Sequence, residues 1–410
     1  MRRHGAALVV LVLLFGCGAG RVVRRGQVNE DALGAIRSGL PAIRGLEFTA
    51  PVPALALSRE EISAMVANEI DQSYAPGDVE RMQQVYSRLG LLPPGSELRP
   101  ALQRLYEQEG AGFYDPRTKR LVLAKTAMRA AGMKVDFLGR VFGRDFVGEF
   151  LVAHELTHAL QDQHFGIPTQ PEPVTDSHGD RELARRALLE GDATLAGFAY
   201  LFRGTPDAKL IATIERQLHG VPAELAKKYP DVPELVRASL AFQYDDGTSF
   251  TGRALATGGW AAVDRAQADP PESTEQVLHP ERYFDHRERP VEIRLGGTER
   301  LEAAGWTRVF EDTIGELEMR VLAARAVPPE QAERVAAGWG GDRLRGLARG
   351  DELILVWMTA WDSPADAGEF AATMPLVNAE AHVQQRDARV LVLLGPVPAD
   401  TVSRIWTETR

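Results

Sequence analysis

The sequence predicts an α+β protein, with a mainly helical domain that carries a short edge strand or hairpin, followed by a smaller α+β domain. Three observations predict it. Through most of the first 290 positions, apolar residues recur at helical spacing in segments punctuated by Gly and Pro. Beyond about residue 291, aliphatic and aromatic runs of strand length alternate with helical stretches. Between the two, residues 269–290 are dense in Pro and charge, the composition of a loop or boundary.

The N-terminus has a different character. Arg2 and Arg3 precede an uncharged apolar run over residues 6–15, which ends in Gly16 and Cys17. A basic start, about ten apolar residues and a small residue at the cut describe an export signal, and the run is shorter than the roughly 20 residues a permanent membrane helix needs. Leu14-Phe15-Gly16-Cys17 resembles the lipobox of bacterial lipoproteins, which implies a signal peptide over residues 1–16, acylation of Cys17 and a membrane anchor facing the periplasm or cell exterior. Cys17 is the only cysteine, so an exported chain has no disulfide to make. Residues 17–44, with Arg21, Arg24 and Arg25, read as a tether. Loss of Arg2 and Arg3 with the signal takes the net charge from −10 to −12. Lys and Arg are scattered, with no basic patch of the kind nucleic acid requires.

The remainder of the chain has no internal repeat and no low-complexity tract. Ser58, with Glu61 three residues later, opens a helix through a capping box. Helical spacing runs to Tyr74, resumes over residues 78–89 and stops at Gly90 and Pro93-Pro94-Gly95; another helix is expected over 98–109. Asp115-Pro116 forms a turn between two short strands, the second at Arg120-Leu-Val-Leu. A buried helix is expected over 146–164 and a long one over 180–202, then helices near 206–216, 221–228, 231–241 and 248–257. In the last domain, strands are expected over 306–309, 343–349, 353–359 and 390–394, with helices over 311–325, 364–373 and 399–407.

The chemistry sits on the buried helix. His154 and His158 are four apart, so both imidazoles leave one face about one turn from each other. That spacing lets two neutral imidazoles take adjacent corners of a tetrahedral zinc site, and Glu155 beside them can serve as general base for a metal-activated water. A third ligand has two candidates. His164 lies six residues after His158, the metzincin spacing, but Gln161 stands where that pattern needs Gly. On a continuing helix His164 would sit about 9 Å further along the axis. Glu190 lies mid-way along the next long helix, with Ala187, Ala193, Thr194 and Gly197 near its face. Small residues there allow the close approach that two helices sharing one ion require.

His154-Glu155-x-x-His158, followed on the next helix by Glu190-Gly191-Asp192-Ala193, resembles the gluzincin clan of zinc metallopeptidases. More narrowly, the chain resembles a group of largely uncharacterised exported bacterial lipoproteins. It shares with them Gly112-Phe-Tyr-Asp-Pro, Ala153-His-Glu-Leu-Thr-His-Ala-Leu-Gln-Asp-Gln-His-Phe, Glu190-Gly-Asp-Ala and Ser273-Thr-Glu-Gln-Val-Leu-His-Pro-Glu-Arg-Tyr. The likeness covers about residues 45–290, with a weaker echo at Gly338-Trp-Gly-Gly-Asp-Arg. It implies a zincin-like metallopeptidase domain over 45–290, zinc on His154, His158 and Glu190, and a peptide or protein substrate. The 31 residues between His158 and Glu190 are a longer gap than in thermolysin-like members.

Hydrolysis also needs a donor for the developing oxyanion. Tyr244, Tyr283 and His279 are candidates. Asp162 or Asp192 is a candidate partner for the second nitrogen of a ligand histidine, and the strand at Arg120 is a candidate edge for pairing with an extended peptide. The competing reading is a catalytically silent lipoprotein of the same fold that serves as a binding or scaffold module, with Trp339, Trp357 and Trp361 lining a site in the C-terminal domain, 291–410.

Overall fold

A computed structural model describes residues 22–109, 112–125, 145–170 and 172–410. The expected signal peptide and Cys17 lie outside the described residues. Among those described, no helix is long and apolar enough to cross a membrane. The protein is α+β, with a helical N-terminal region and a sheet-rich C-terminal domain.

The chain enters through a small hairpin, β1 (Val23–Arg24) and β2 (Gln27–Val28), and turns into α1 (Glu30–Arg44). Leu33, Ile36 and Leu40 share one face of α1 and are buried in a core with Val152, Ala153 and Leu156. The tether expected over residues 17–44 is thus corrected from residue 22 onward. Its apolar residues recur at i, i+3 and i+7, and the domain covers the face they make.

After β3 (Ala54–Leu57) come α2 (Arg59–Ser73), α3 (Asp78–Leu89) and α4 (Leu98–Glu109). The capping box at Ser58 forms as expected, with the Ser58 amide donating to Glu61 Oε2 at 2.6 Å and the Glu61 amide to Ser58 Oγ at 3.2 Å. The strands β4 (Gly112–Asp115) and β5 (Arg120–Ala124) form the expected hairpin, but β3 pairs in parallel with β5 on its other side, giving the order β3-β5-β4. Arg120-Leu-Val-Leu is therefore a central strand with no free edge. Its burial on both sides explains why it is aliphatic at successive positions.

The helix α5 (Phe146–Phe165) begins where Asp145 accepts the Gly148 amide and ends at Gly166, φ +74°. It packs against α6 (Gly179–Phe202). After α7 (Ala208–Leu218) and α8 (Val221–Lys228), residues expected to form two helices build one, α9 (Glu234–Ala268), bent at Gly258 and Gly259. Asp245-Asp246-Gly247 reads as a break in sequence. In space Gly247 lies inside the helix, because a Cβ there would stand 2.2 Å from the Ala187 carbonyl oxygen of α6. The reciprocal contact is tighter: a Cβ on Gly191 would stand 2.0 Å from the Gly247 oxygen.

Residues 269–290, expected as a loop, contain α10 (Thr274–Leu278) and α11 (Glu281–Phe284). Ser273 caps α10, and Thr274 donates through its amide and hydroxyl to Asp180 Oδ1, in the first turn of α6, at 3.1 and 2.5 Å. This segment anchors the start of α6 rather than merely linking two domains.

The C-terminal domain comprises α12 (Glu299–Ala303), β6 (Thr307–Asp312), α13 (Gly315–Ala323), α14 (Pro329–Ala336), β7 (Trp339–Arg349), β8 (Glu352–Trp361), α15 (Pro364–Val377), β9 (His382–Arg386), β10 (Arg389–Leu394) and α16 (Ala399–Glu408). Its sheet runs β6-β7-β8-β10-β9, antiparallel throughout. Leu355 and Trp357 of β8 face one core, while Ile354, Val356 and Met358 face another. Both faces are covered, and α3 supplies Val85, Tyr86 and Leu89 to the first. The expected boundary near residue 291 is therefore not a division in space, since a helix from the first region completes the second core.

The packing of α6 on α9 generates a test. Gly191→Ala or Gly247→Ala must push two backbones apart, so each is expected to lower stability by about 3 kcal/mol, at the upper end for overpacking. Urea unfolding of the purified variants measures it. Wild-type stability in both would refute the contact.

Candidate metal centre

Four residues of one helix face and one residue of its neighbour build the site. His154, Glu155, His158 and Gln161 lie on α5, and Glu190 lies on α6, next to the Gly191 that lets α6 sit close to its neighbours. His154 Nε2 and His158 Nε2 are 3.2 Å apart; Glu190 Oε2 stands 3.1 Å from the first, and Glu190 Oε1 3.5 Å from the second. Ligand atoms held at zinc distances on tetrahedral corners stand about 3.3 Å from one another. The three donors fit that geometry, and among the described residues they are the group whose ligand atoms could hold a metal ion.

Electrostatics support convergence. Burial disfavours the His158 imidazolium, but the Glu190 carboxylate outweighs it and pushes His158 up to about 9. Burial likewise opposes ionisation of Glu190, yet the two histidines hold its pKa well below the usual carboxylate range. A divalent cation would replace the proton that now satisfies this cluster.

Glu155 is buried and its Oε2 accepts the backbone N–H of Tyr114, on β4, at 2.8 Å. Burial raises its pKa; His154, His158 and the Tyr114 amide pull it down, and Glu190 adds to the rise. The result is a carboxylate displaced toward the range in which a general base works.

The histidines are supported unequally. His158 Nδ1 meets Gln161 Oε1 at 2.8 Å. His154 lies between the rings of Phe150 and Tyr244, with centroids 6.0 and 6.3 Å away, and its Nδ1 is buried without a hydrogen-bond partner among the described residues.

The other expected residues divide. Tyr244, one turn before Gly247 on α9, stacks its ring on His154. Tyr283 does not: its hydroxyl donates to the Asp269 carbonyl at 2.6 Å and its ring packs on Phe250 and Phe284, so it is corrected to a packing residue. His279 pairs with Glu316 at 2.9 Å. His164 meets the Glu47 carbonyl at 2.7 Å, outside the cluster, because α5 continues through Gln161 and carries it past the site. Asp162 accepts the Tyr114 hydroxyl and the Lys119 ammonium, holding β4 on α5, and is no partner of the histidines. Asp192 touches Gln161 instead of an imidazole. β5 is the central strand and has no edge to pair with a peptide; β3 and β4 are the outer strands. Trp339 and Trp357 are buried with their indole N–H groups on Asp342, and Trp361 donates to Thr359, so the three are core and line no site.

The family model of a domain of unknown function, DUF8575, matches residues 299–404. That stretch holds the C-terminal sheet with its helices and none of the metal cluster. No curated protein and no solved structure matches the chain.

Sequence reasoning missed Gln161 as a partner of His158 and the Tyr114 amide as a partner of Glu155. The first had a signal, since i and i+3 share a helix face. The second had none, because a backbone N–H leaves no mark in sequence.

His158 makes metal-free stability depend on pH. Its folded pKa of about 9 exceeds its ordinary 6.5, so its contribution is complete below 6.5 and disappears as pH rises through 9. Urea titrations of metal-free protein between these limits are expected to show falling stability, and the fall should be shallower in His158→Gln. Equal slopes would contradict the His158–Glu190 interaction.

Proposed function

We propose that this chain is a zinc-dependent peptidase of the gluzincin type, exported and held at a membrane by a lipid on Cys17. The observation that carries the reading is the convergence of His154, His158 and Glu190 from two helices beside a buried Glu155. Zinc held by those three residues would lower the pKa of a water and polarise the scissile carbonyl.

The chain's own groups supply the rest. Glu155 has one oxygen committed to the Tyr114 amide, which fixes the carboxylate and leaves Oε1 to take the proton of the attacking water. The same oxygen then returns the proton to the departing amine. Tyr244, against His154, is the proposed donor to the oxyanion. The edge strand β4, fastened to α5 through Tyr114, offers main-chain groups to an extended peptide beside the base. Main-chain pairing recognises an extended backbone with little regard for side chains, which favours unfolded segments or flexible loops as substrate.

Export and anchoring rest on Arg2, Arg3, the apolar run and Cys17. The intact Glu155 favours an enzyme over a scaffold, because a binding module has no use for a buried base.

Two variants test the reading on a quenched peptide. Glu155→Gln is expected to keep one zinc per chain and lose about 100- to 10,000-fold in kcat. Tyr244→Phe is expected to keep zinc and lose about 100- to 1,000-fold in kcat with little change in KM. Zinc retention with no chelator-sensitive hydrolysis by the wild type would instead favour the binding module.

A further inference from the structure

We propose that Gln161 is a positioning residue for the metal centre, its amide locked by Asp192 and Arg44 so that His158 presents a bare Nε2. The inference rests on the zinc-peptidase reading and extends it beyond the three ligands.

The hydrogen bonds determine which way the amide points. Gln161 Nε2 donates both of its protons, one to the Leu189 carbonyl at 2.9 Å and one to Asp192 Oδ2 at 3.0 Å. Both partners can only accept. Gln161 must therefore turn Oε1 toward His158, and an oxygen there requires a proton on Nδ1. In the neutral imidazole that leaves the lone pair on Nε2, where it faces His154 and Glu190. A flipped amide would donate to Nδ1 and move the proton to Nε2, into the space an ion would fill.

Asp192 is held with equal care. Arg44 reaches it twice, Nε to Oδ1 at 2.7 Å and Nη2 to Oδ2 at 3.0 Å, and Gln267 Nε2 adds a bond at 3.0 Å. Arg44 and Asp192 are fully buried. The guanidinium also pairs with Asp264 at 2.8 Å and lies over the Trp260 ring. The last residue of α1 thus sets the tautomer of a ligand three contacts away, and the N-terminal helix becomes part of the metal centre.

Zinc affinity by competition with a chromogenic chelator, and the melting temperature of metal-free protein, test this on the full mature chain. Gln161→Met removes the acceptor and is expected to weaken zinc about 10- to 100-fold. Gln161→Glu restores an acceptor for the Nδ1 proton but sets a second carboxylate against Asp192. It is expected to melt lower than Gln161→Met and yet bind zinc more tightly. A merely structural role would make affinity follow melting temperature across the two, and that ordering overturns the proposal. If Gln161→Met does not fold, Asp192→Asn carries the same test: it keeps the shape, removes the charge that orients the amide, and is expected to weaken zinc about tenfold. Wild-type affinity in Asp192→Asn overturns the proposal. Tight zinc binding by the wild type, with either failure, leaves the peptidase reading intact; no zinc binding by the wild type overturns both.

Discussion

The architecture depends on how closely α6 approaches its neighbours. Glu190 reaches two imidazoles on α5 from the neighbouring helix, and α5 and α6 pack against each other. Gly197 faces the Phe150 ring, where a Cβ would stand 2.9 Å from it, and Gly191 meets the backbone of α9 at Gly247. Three glycines give up helix propensity, about 1 kcal/mol each relative to Ala. In exchange Gly197 makes room for Phe150 of α5, the helix that carries His154 and His158, and the Gly191–Gly247 contact seats α9 on α6, where Tyr244, one turn before Gly247, stacks on His154. The same crossing thus sets both the ligand and the candidate oxyanion donor.

So close an approach buries acidic side chains, and neighbouring elements supply them with partners. Glu190 faces the histidines, Asp192 faces Arg44 and Gln161, and Asp180 at the start of the helix takes the donors of Thr274. The donors come from α5, α1 and α10. Burying charge without such partners costs several kcal/mol per ion. This requirement ties the N-terminal helix and the segment around Ser273 to α6.

Much was legible beforehand. The α+β class, the two central helices, the Asp115-Pro116 hairpin and the long strands of the last domain follow from periodicity and spacing, while Glu190 was one of two candidates to join the histidines and was singled out by the resemblance. The misreadings share a cause. Residues 269–290 are rich in charge and residues 22–44 carry four arginines, and local composition cannot distinguish a solvated arginine from Arg44, whose partners lie 148 residues or more along the chain. Asp245-Asp246-Gly247 carries the marks of a break, yet long-range packing keeps it helical. The polar strand β9 escaped notice because it lies at a sheet edge and has no alternation to show. Tyr244 and Tyr283 were indistinguishable in sequence; only the helix crossing separates the tyrosine beside the centre from the one in the core.

The most direct measurement is a crystal of residues 22–410 grown with zinc, with diffraction data collected on both sides of the zinc absorption edge. The account predicts one strong anomalous peak about 2.0–2.2 Å from His154 Nε2, His158 Nε2 and a Glu190 oxygen. A peak bound elsewhere, or a centre in which Glu190 turns away from both imidazoles, would contradict it.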